Sequence, residues 1–230
     1  MNFLNLFDNL FFNKKETNDK KNTKIIVFTG PIGVGKTKLA NFLNEYLIGG
    51  GKKVFFDIEI TMKIEKELKM YYQFLEKGVK DQGISFWFQD KLIDEYKKFY
   101  NNIDYEKYDY VIFDRTHLDT NFFTIATINK DPYIEICLPY LKEKLDEISF
   151  RVKPDVINVS VDKEISIERI LKRDRDIEQK VDIDYYELIY DMYDNIDEIY
   201  EFYYLFNNSD ELDDNLLKKK IIGFFNHYIN

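Results

Sequence analysis

The chain has 230 residues, enough for one domain or one domain with an appended arm, and too few for two full ones. Its 45% hydrophobic and 17% aromatic content exclude global disorder, and no apolar run approaches the roughly 20 residues that span a bilayer, so a soluble protein is expected. A net charge of −9 disfavours nucleic acid and leaves small anions held at local basic sites, while a single cysteine, Cys137, excludes an internal disulfide and fits a reducing, cytoplasmic compartment.

Residues 1–23 read as an N-terminal arm and linker, and residues 24–230 as one phosphate-loop domain. Met1–Phe12 is apolar but carries Asp8 and lacks a basic n-region, so it does not read as a secretory signal; it is a candidate docking helix. Asn13–Thr23 has the polar, lysine-rich composition of a linker.

From Lys24 the β-branched run Lys-Ile-Ile-Val-Phe-Thr reads as a buried central strand. A helix follows, with Leu39, Phe42, Leu43 and Leu47 on one face, and Gly49–Gly51 stops it before a second strand at Lys53–Asp57. Further strands are predicted at Tyr110–Phe113, Val156–Val161 and Phe202–Phe206, with helical stretches between them. Tyr185–Tyr200 reads as a helix whose stripe of Leu188, Ile189, Met192, Tyr193, Ile196 and Tyr200 belongs to the core. The alternation predicts an α/β fold, a three-layer arrangement with a five-stranded parallel sheet flanked by helices.

Between the first strand and its helix stands Gly30-Pro31-Ile32-Gly33-Val34-Gly35-Lys36-Thr37, which satisfies G-x-x-x-x-G-K-[ST] in the required strand-to-helix context. The glycines allow successive backbone N–H groups to point inward, and the helix N-terminus adds partial positive charge, so the loop is an anion cradle for ATP or GTP. Lys36 is placed to bridge the outer phosphates and Thr37 to ligate Mg²⁺. A GTPase is discounted, because Asn129-Lys130-Asp131 lacks the spacer of a guanine-reading Asn-Lys-x-Asp.

Two further segments narrow the chemistry. The third strand delivers Asp114-Arg115-Thr116 to the carboxyl edge of the sheet, where Asp114 can hold Mg²⁺ and Arg115 can clamp a phosphate or orient a hydroxyl. Downstream, Arg169, Arg173 and Arg175 fall within seven residues, two of them on a short loop between helices, and the segment reads as a lid closing on an anion. His117 and Cys137 read as structural, Cys137 as a buried small hydrophobe.

These motifs, with Glu59 after the second strand, Ser85-Phe86-Trp87-Phe88-Gln89 opening a helix and the lid Arg173-Asp-Arg175-Asp-Ile-Glu178-Gln, make residues 24–206 resemble the deoxynucleoside kinases, phosphate-loop enzymes with a helical lid. The resemblance implies ATP and Mg²⁺ as cofactors, transfer to the 5′-hydroxyl of a deoxynucleoside, and a homodimer. It implies that Glu59 is the general base, that Gln89 reads the base, and that Glu178 reaches the sugar 3′-hydroxyl; by position at the end of the second strand, Asp57 is the rival base. Arg169, Arg173 and Arg175 would surround the donor, and Arg115 the hydroxyl and transferred phosphate. The sugar-contacting tyrosine is not where the family has it; Tyr71, Tyr72 or Phe74 substitutes, and Phe86, Trp87 or Phe88 with Phe122 or Phe123 could sandwich the base. Deoxycytidine and deoxyguanosine members carry an Arg–Asp pair where this chain has Tyr96 and Thr120, which points to a thymidine-preferring or broad range. The alternatives are a thymidylate-type nucleotide kinase and a nucleotide-binding protein without catalysis.

Overall fold

The computed structural model describes residues 23–57, 60–77, 83–128, 131–150, 152–173, 182–210 and 212–230. The strands are β1 (Lys24–Thr29), β2 (Val54–Asp57), β3 (Tyr110–Asp114), β4 (Asp155–Ser160) and β5 (Tyr204–Asn207). Between and after them run α1 (Lys36–Gly49), α2 (Glu65–Lys77), α3 (Ile84–Asn101), α4 (Thr120–Ala126), α5 (Pro132–Asp146), α6 (Lys163–Lys172), α7 (Ile183–Met192) and α8 (Asp214–Tyr228).

All four strand pairings are parallel, in the order β2-β3-β1-β4-β5. The central strand is fully covered because its side chains alternate between two cores. Ile25 and Val27 of β1 pack on one face with Val111 and Phe113 of β3, beneath the helical layer that includes α2, α3 and α7. Ile26 and Phe28 pack on the other with Ile112, Leu39 and Leu43 of α1 and Phe225 of α8. The three-layer α/β architecture expected from the sequence is thus the one observed.

The order also fixes where a ligand can sit. The chain leaves β1 toward β2 and β3 on one side, then crosses to β4 on the other, so a crevice opens beyond the carboxyl end of β1. The loop Gly30–Gly35 occupies that position.

Three expectations need correction. Hydrophobicity placed the last strand at Phe202–Phe206, but the ladder with β4 begins at Tyr204 and ends at Asn207, leaving Phe202 64% exposed. The helix expected over Tyr185–Tyr200 ends at Met192; a 3-10 turn, Tyr193–Glu198, follows, broken at Asn195 with φ −106° and ψ 32°. Tyr193, Ile196 and Tyr200 are nevertheless buried, because the turn keeps them on the core side. Cys137 is half-buried rather than buried.

Candidate active site

The phosphate loop is held open by partners from distant elements. Gly33 has φ +85°, and a Cβ there would lie 2.4 Å from the Ser166 carbonyl oxygen, so both conformation and space demand glycine. The Ser166 hydroxyl of α6 donates to the Ile32 carbonyl, and the Asn208 amide, just past β5, donates to the Val34 carbonyl at 2.8 Å. Pro31, Ile32 and Val34 therefore contribute backbone to the cradle, and the Val34 side chain is fully buried in the core. Helix α1 starts from Gly35 in a left-handed conformation with no side-chain cap and no acidic residue in its first turn. Its leading N–H groups are thus left to an anion. Lys36 Nζ rests on the Pro31 carbonyl at 2.5 Å, and the Thr37 hydroxyl donates to the Asp114 carboxylate.

Beside Asp114, Arg115 is the non-glycine residue with positive φ among the described residues, at +71°. Such a backbone persists where its surroundings over-determine it. Its N–H donates to the Phe28 carbonyl at 2.9 Å, and its guanidinium lies 4.9 Å from the Phe123 ring centre.

Helices α2 and α3 and the phosphate loop enclose a cavity of about 320 Å³. Its lining includes Lys36 and Thr37 of α1, Arg115 after β3, Gln89 and Phe88 of α3, Tyr72 of α2 and Phe123 of α4. Gln89 is 0% exposed, and its side-chain amide makes no well-formed hydrogen bond among the described residues, with the Tyr71 hydroxyl beside it. A buried amide without partners is costly unless a ligand completes it. Phe88 stacks on Tyr71 with ring centres 4.5 Å apart and 8° between planes. Phe86 does not take the substrate-facing place expected of it: it packs against Tyr133 and Tyr140 of α5. One helical turn explains the exchange, since Phe88, Gln89, Leu92 and Tyr96 share a face that Phe86 does not. Tyr96 and Thr120 are both buried and carry no charge.

Outside the phosphate loop a second, more open cavity of about 750 Å³ is lined by Arg169, Lys172, Arg173 and Asn208. Arg169 donates to the Asn208 carbonyl at 3.2 Å, and Arg173 borders both cavities. Glu59, Arg175 and Glu178 lie outside the described residues. Asp57, the rival base, is engaged by Lys63. Sequence reasoning missed Ser166 and Asn208, for which no local motif exists.

The deoxynucleoside kinase family model matches residues 26–226. The chain belongs to the deoxynucleoside kinase family. The resemblance read from its motifs is therefore correct at family level, and deoxynucleoside kinase activity goes with it. No curated protein matches the sequence. Among solved structures, deoxyadenosine kinase from M. mycoides with bound dATP superposes with a TM-score of 0.66 at 22% identity, covering 88% of this chain and 99% of that one. The same enzyme with dCTP gives 0.64 at 22%, with coverage of 88% and 99%. With the products dCMP and a flexible dCDP it gives 0.64 at 21%, covering 88% and 98%. At these identities the likeness concerns the fold. No helix among the described residues is long and apolar enough to cross a membrane.

Behind the kinase's Asp114–Thr116 corner, His117 is buried among Tyr96, Tyr100 and Phe150, and its Nδ1 has no hydrogen-bond partner among the described residues. Burial lowers its pKa from 6.5 to about 3, against the opposing pull of Asp119 and a backbone hydrogen bond to Ile148. Between those values the unfolded chain binds a proton that the native ring does not, so this group's contribution to stability falls as pH drops below 6.5. Relative to His117→Phe, the kinase should lose stability by up to about 1.4 kcal/mol per pH unit between about pH 6 and 4. Urea melts of both proteins across that range check this; parallel curves would contradict it.

Proposed function

We propose that this kinase transfers the terminal phosphoryl group of ATP to the 5′-hydroxyl of a deoxynucleoside, giving the 5′-monophosphate. The observation that carries this reading is Gln89: a fully buried amide with no well-formed hydrogen bond among the described residues, in a cavity that Lys36, Thr37 and Arg115 also line. A base edge supplies the complementary acceptor and donor, and a bound nucleoside then directs its sugar toward the phosphate loop.

In this scheme Glu59 takes the proton of the 5′-hydroxyl as its oxygen bonds to the terminal phosphorus, and the bond to the ADP leaving group breaks. Lys36 sits on the outer phosphates, and Arg169, Arg173 and Arg175 offset charge on the transferring group. Arg115 orients the hydroxyl and the phosphoryl oxygens, Tyr72 contacts the sugar and Glu178 its 3′-hydroxyl. Phe88, in place of Phe86, and Phe123 flank the acceptor. The Thr37 hydroxyl and Asp114 carboxylate, already in contact, form the oxygen donor set that Mg²⁺ prefers and would hold it. Bound there, the ion neutralises phosphate charge.

Tyr96, which lines the cavity, and Thr120 carry no charge where an Arg–Asp pair would select one base edge, and the amide can present either orientation. Thymidine and other deoxynucleosides are therefore accepted; a relative that holds both dATP and dCTP supports such tolerance. The test is the wild-type kinase with labelled ATP against four deoxynucleosides and their monophosphates, beside Glu59→Gln. Nucleosides, thymidine included, should be phosphorylated and monophosphates not, and Glu59→Gln should lower kcat by about 10²–10⁴-fold with nucleoside KM little changed. Turnover of monophosphates alone would replace this reading with a nucleotide kinase.

A homodimer is part of the proposal. Helix α5 exposes Tyr133, Ile136 and Tyr140 along one face, with Ile136 76% accessible. Light scattering should give twice the monomer mass, and Ile136→Glu should halve it.

A further inference from the structure

We propose that Asp119 is a positioning residue that holds Arg115 in its left-handed conformation and aims its guanidinium into the acceptor cavity. The inference rests on the proposed role of Arg115 at the 5′-hydroxyl and transferred phosphate, and goes beyond it by naming what sets the arginine's geometry.

Asp119 is 1% exposed, and each of its carboxylate oxygens gathers donors from a different side. Oδ1 accepts from the Thr29 hydroxyl at the end of β1, from Arg115 Nη1 at 3.4 Å and from the Tyr193 hydroxyl at 2.6 Å. Oδ2 accepts from the Thr116 N–H at 2.9 Å, the Thr116 hydroxyl at 3.3 Å and the Tyr200 hydroxyl at 2.9 Å. Arg115 also donates to the Tyr193 hydroxyl, which closes an Arg–Tyr–Asp triangle. One carboxylate thus ties the guanidinium, the backbone immediately after it and the end of the central strand into a single unit. Burial keeps both tyrosine hydroxyls protonated, pushing them well above the ordinary phenol pKa.

This pattern gives a sharp reason for Asp over Asn. Every partner of the carboxylate among the described residues can donate, and two of them, the Arg115 guanidinium and the Thr116 N–H, can only donate. An asparagine turned either way sets its NH₂ against one of these two. The arginine's positive φ then loses the contacts that over-determine it.

The experiment compares Asp119→Asn, Tyr193→Phe, Arg115→Met and the Asp119→Asn/Arg115→Met double variant in kcat, in KM for each substrate and in thermal melts. Asp119→Asn should lower kcat by about 10²-fold, the scale of a misplacement near 1 Å, with KM for ATP unchanged. Tyr193→Phe, which keeps the carboxylate and the fold, should lower kcat by about 10-fold. In the Arg115→Met background Asp119→Asn should cost nothing more, because residues acting through one group are non-additive. If Arg115→Met retains wild-type turnover, the catalytic reading of Arg115 fails and this proposal with it. If Arg115→Met loses turnover while Asp119→Asn or Tyr193→Phe retains it, or if the Asp119→Asn loss multiplies on top of it, the positioning role alone is overturned.

Discussion

Lys36→Ala should lower kcat by about 10³-fold while leaving the melting temperature within a few degrees of wild type. The separation follows from how the loop is held. Its shape depends on glycine conformations and on Ser166 and Asn208, which grip the Ile32 and Val34 carbonyls from α6 and from beyond β5. Lys36 Nζ, by contrast, sits on the Pro31 carbonyl inside the cradle, where a phosphate oxygen can replace that carbonyl as its partner. Removing the ammonium deletes a point charge from the place where charge develops in transfer and leaves the scaffold standing. Single-turnover assays beside circular-dichroism melts check both halves. A loss of less than about tenfold would mean that the ammonium does not meet the transferring group.

Gly30→Ala should instead fail as a fold defect. At φ +134° an alanine is strained, and its Cβ would lie 2.3 Å from the Val159 carbonyl oxygen of β4, a backbone atom in the middle of the sheet that cannot rotate away. Left-handed strain of about 1–2 kcal/mol and overpacking of about 1–3 kcal/mol add to roughly 2–5 kcal/mol, or about 10 °C in Tm for a chain of this size. Gly223→Ala is the control. It lies within α8 with nothing within 4 Å of an added Cβ, so alanine should stabilise by about 0.5–1 kcal/mol. Equal melting temperatures for the two variants would remove the steric argument.

How much of the site could be read in advance depended on how local each feature is. The phosphate loop was legible because eight consecutive residues specify its backbone, and Asp114-Arg115 was legible because a strand end places it. Gln89 was reached through the family resemblance, and its burial without a well-formed hydrogen bond among the described residues adds a physical reason. The exchange of Phe86 for Phe88 was not legible: three consecutive aromatics point in three directions on a helix, and only the packing of α3 against α5 and α2 decides which one faces the cavity. Asp119, one residue before Thr120, is not legible in the sequence, since its value comes from Tyr193 and Tyr200, 74 and 81 residues away.

The amino-acid sequence by itself determined the α/β class, the five strands to within two residues at either end, the anion cradle and the family. The first three follow from short-range rules, period-two or helical spacing of apolar residues and glycine where the backbone turns left-handed, and the family from the resemblance of its motifs. Only the tertiary structure decided which side chains brace that cradle and that arginine. The Asn208–Val34 hydrogen bond joins residues 174 positions apart, and the Tyr193 turn leaves helical geometry at a kink, so neither partner is encoded within the reach of a periodicity. The sheet order, by bringing β4 and β5 beside β1, places them together.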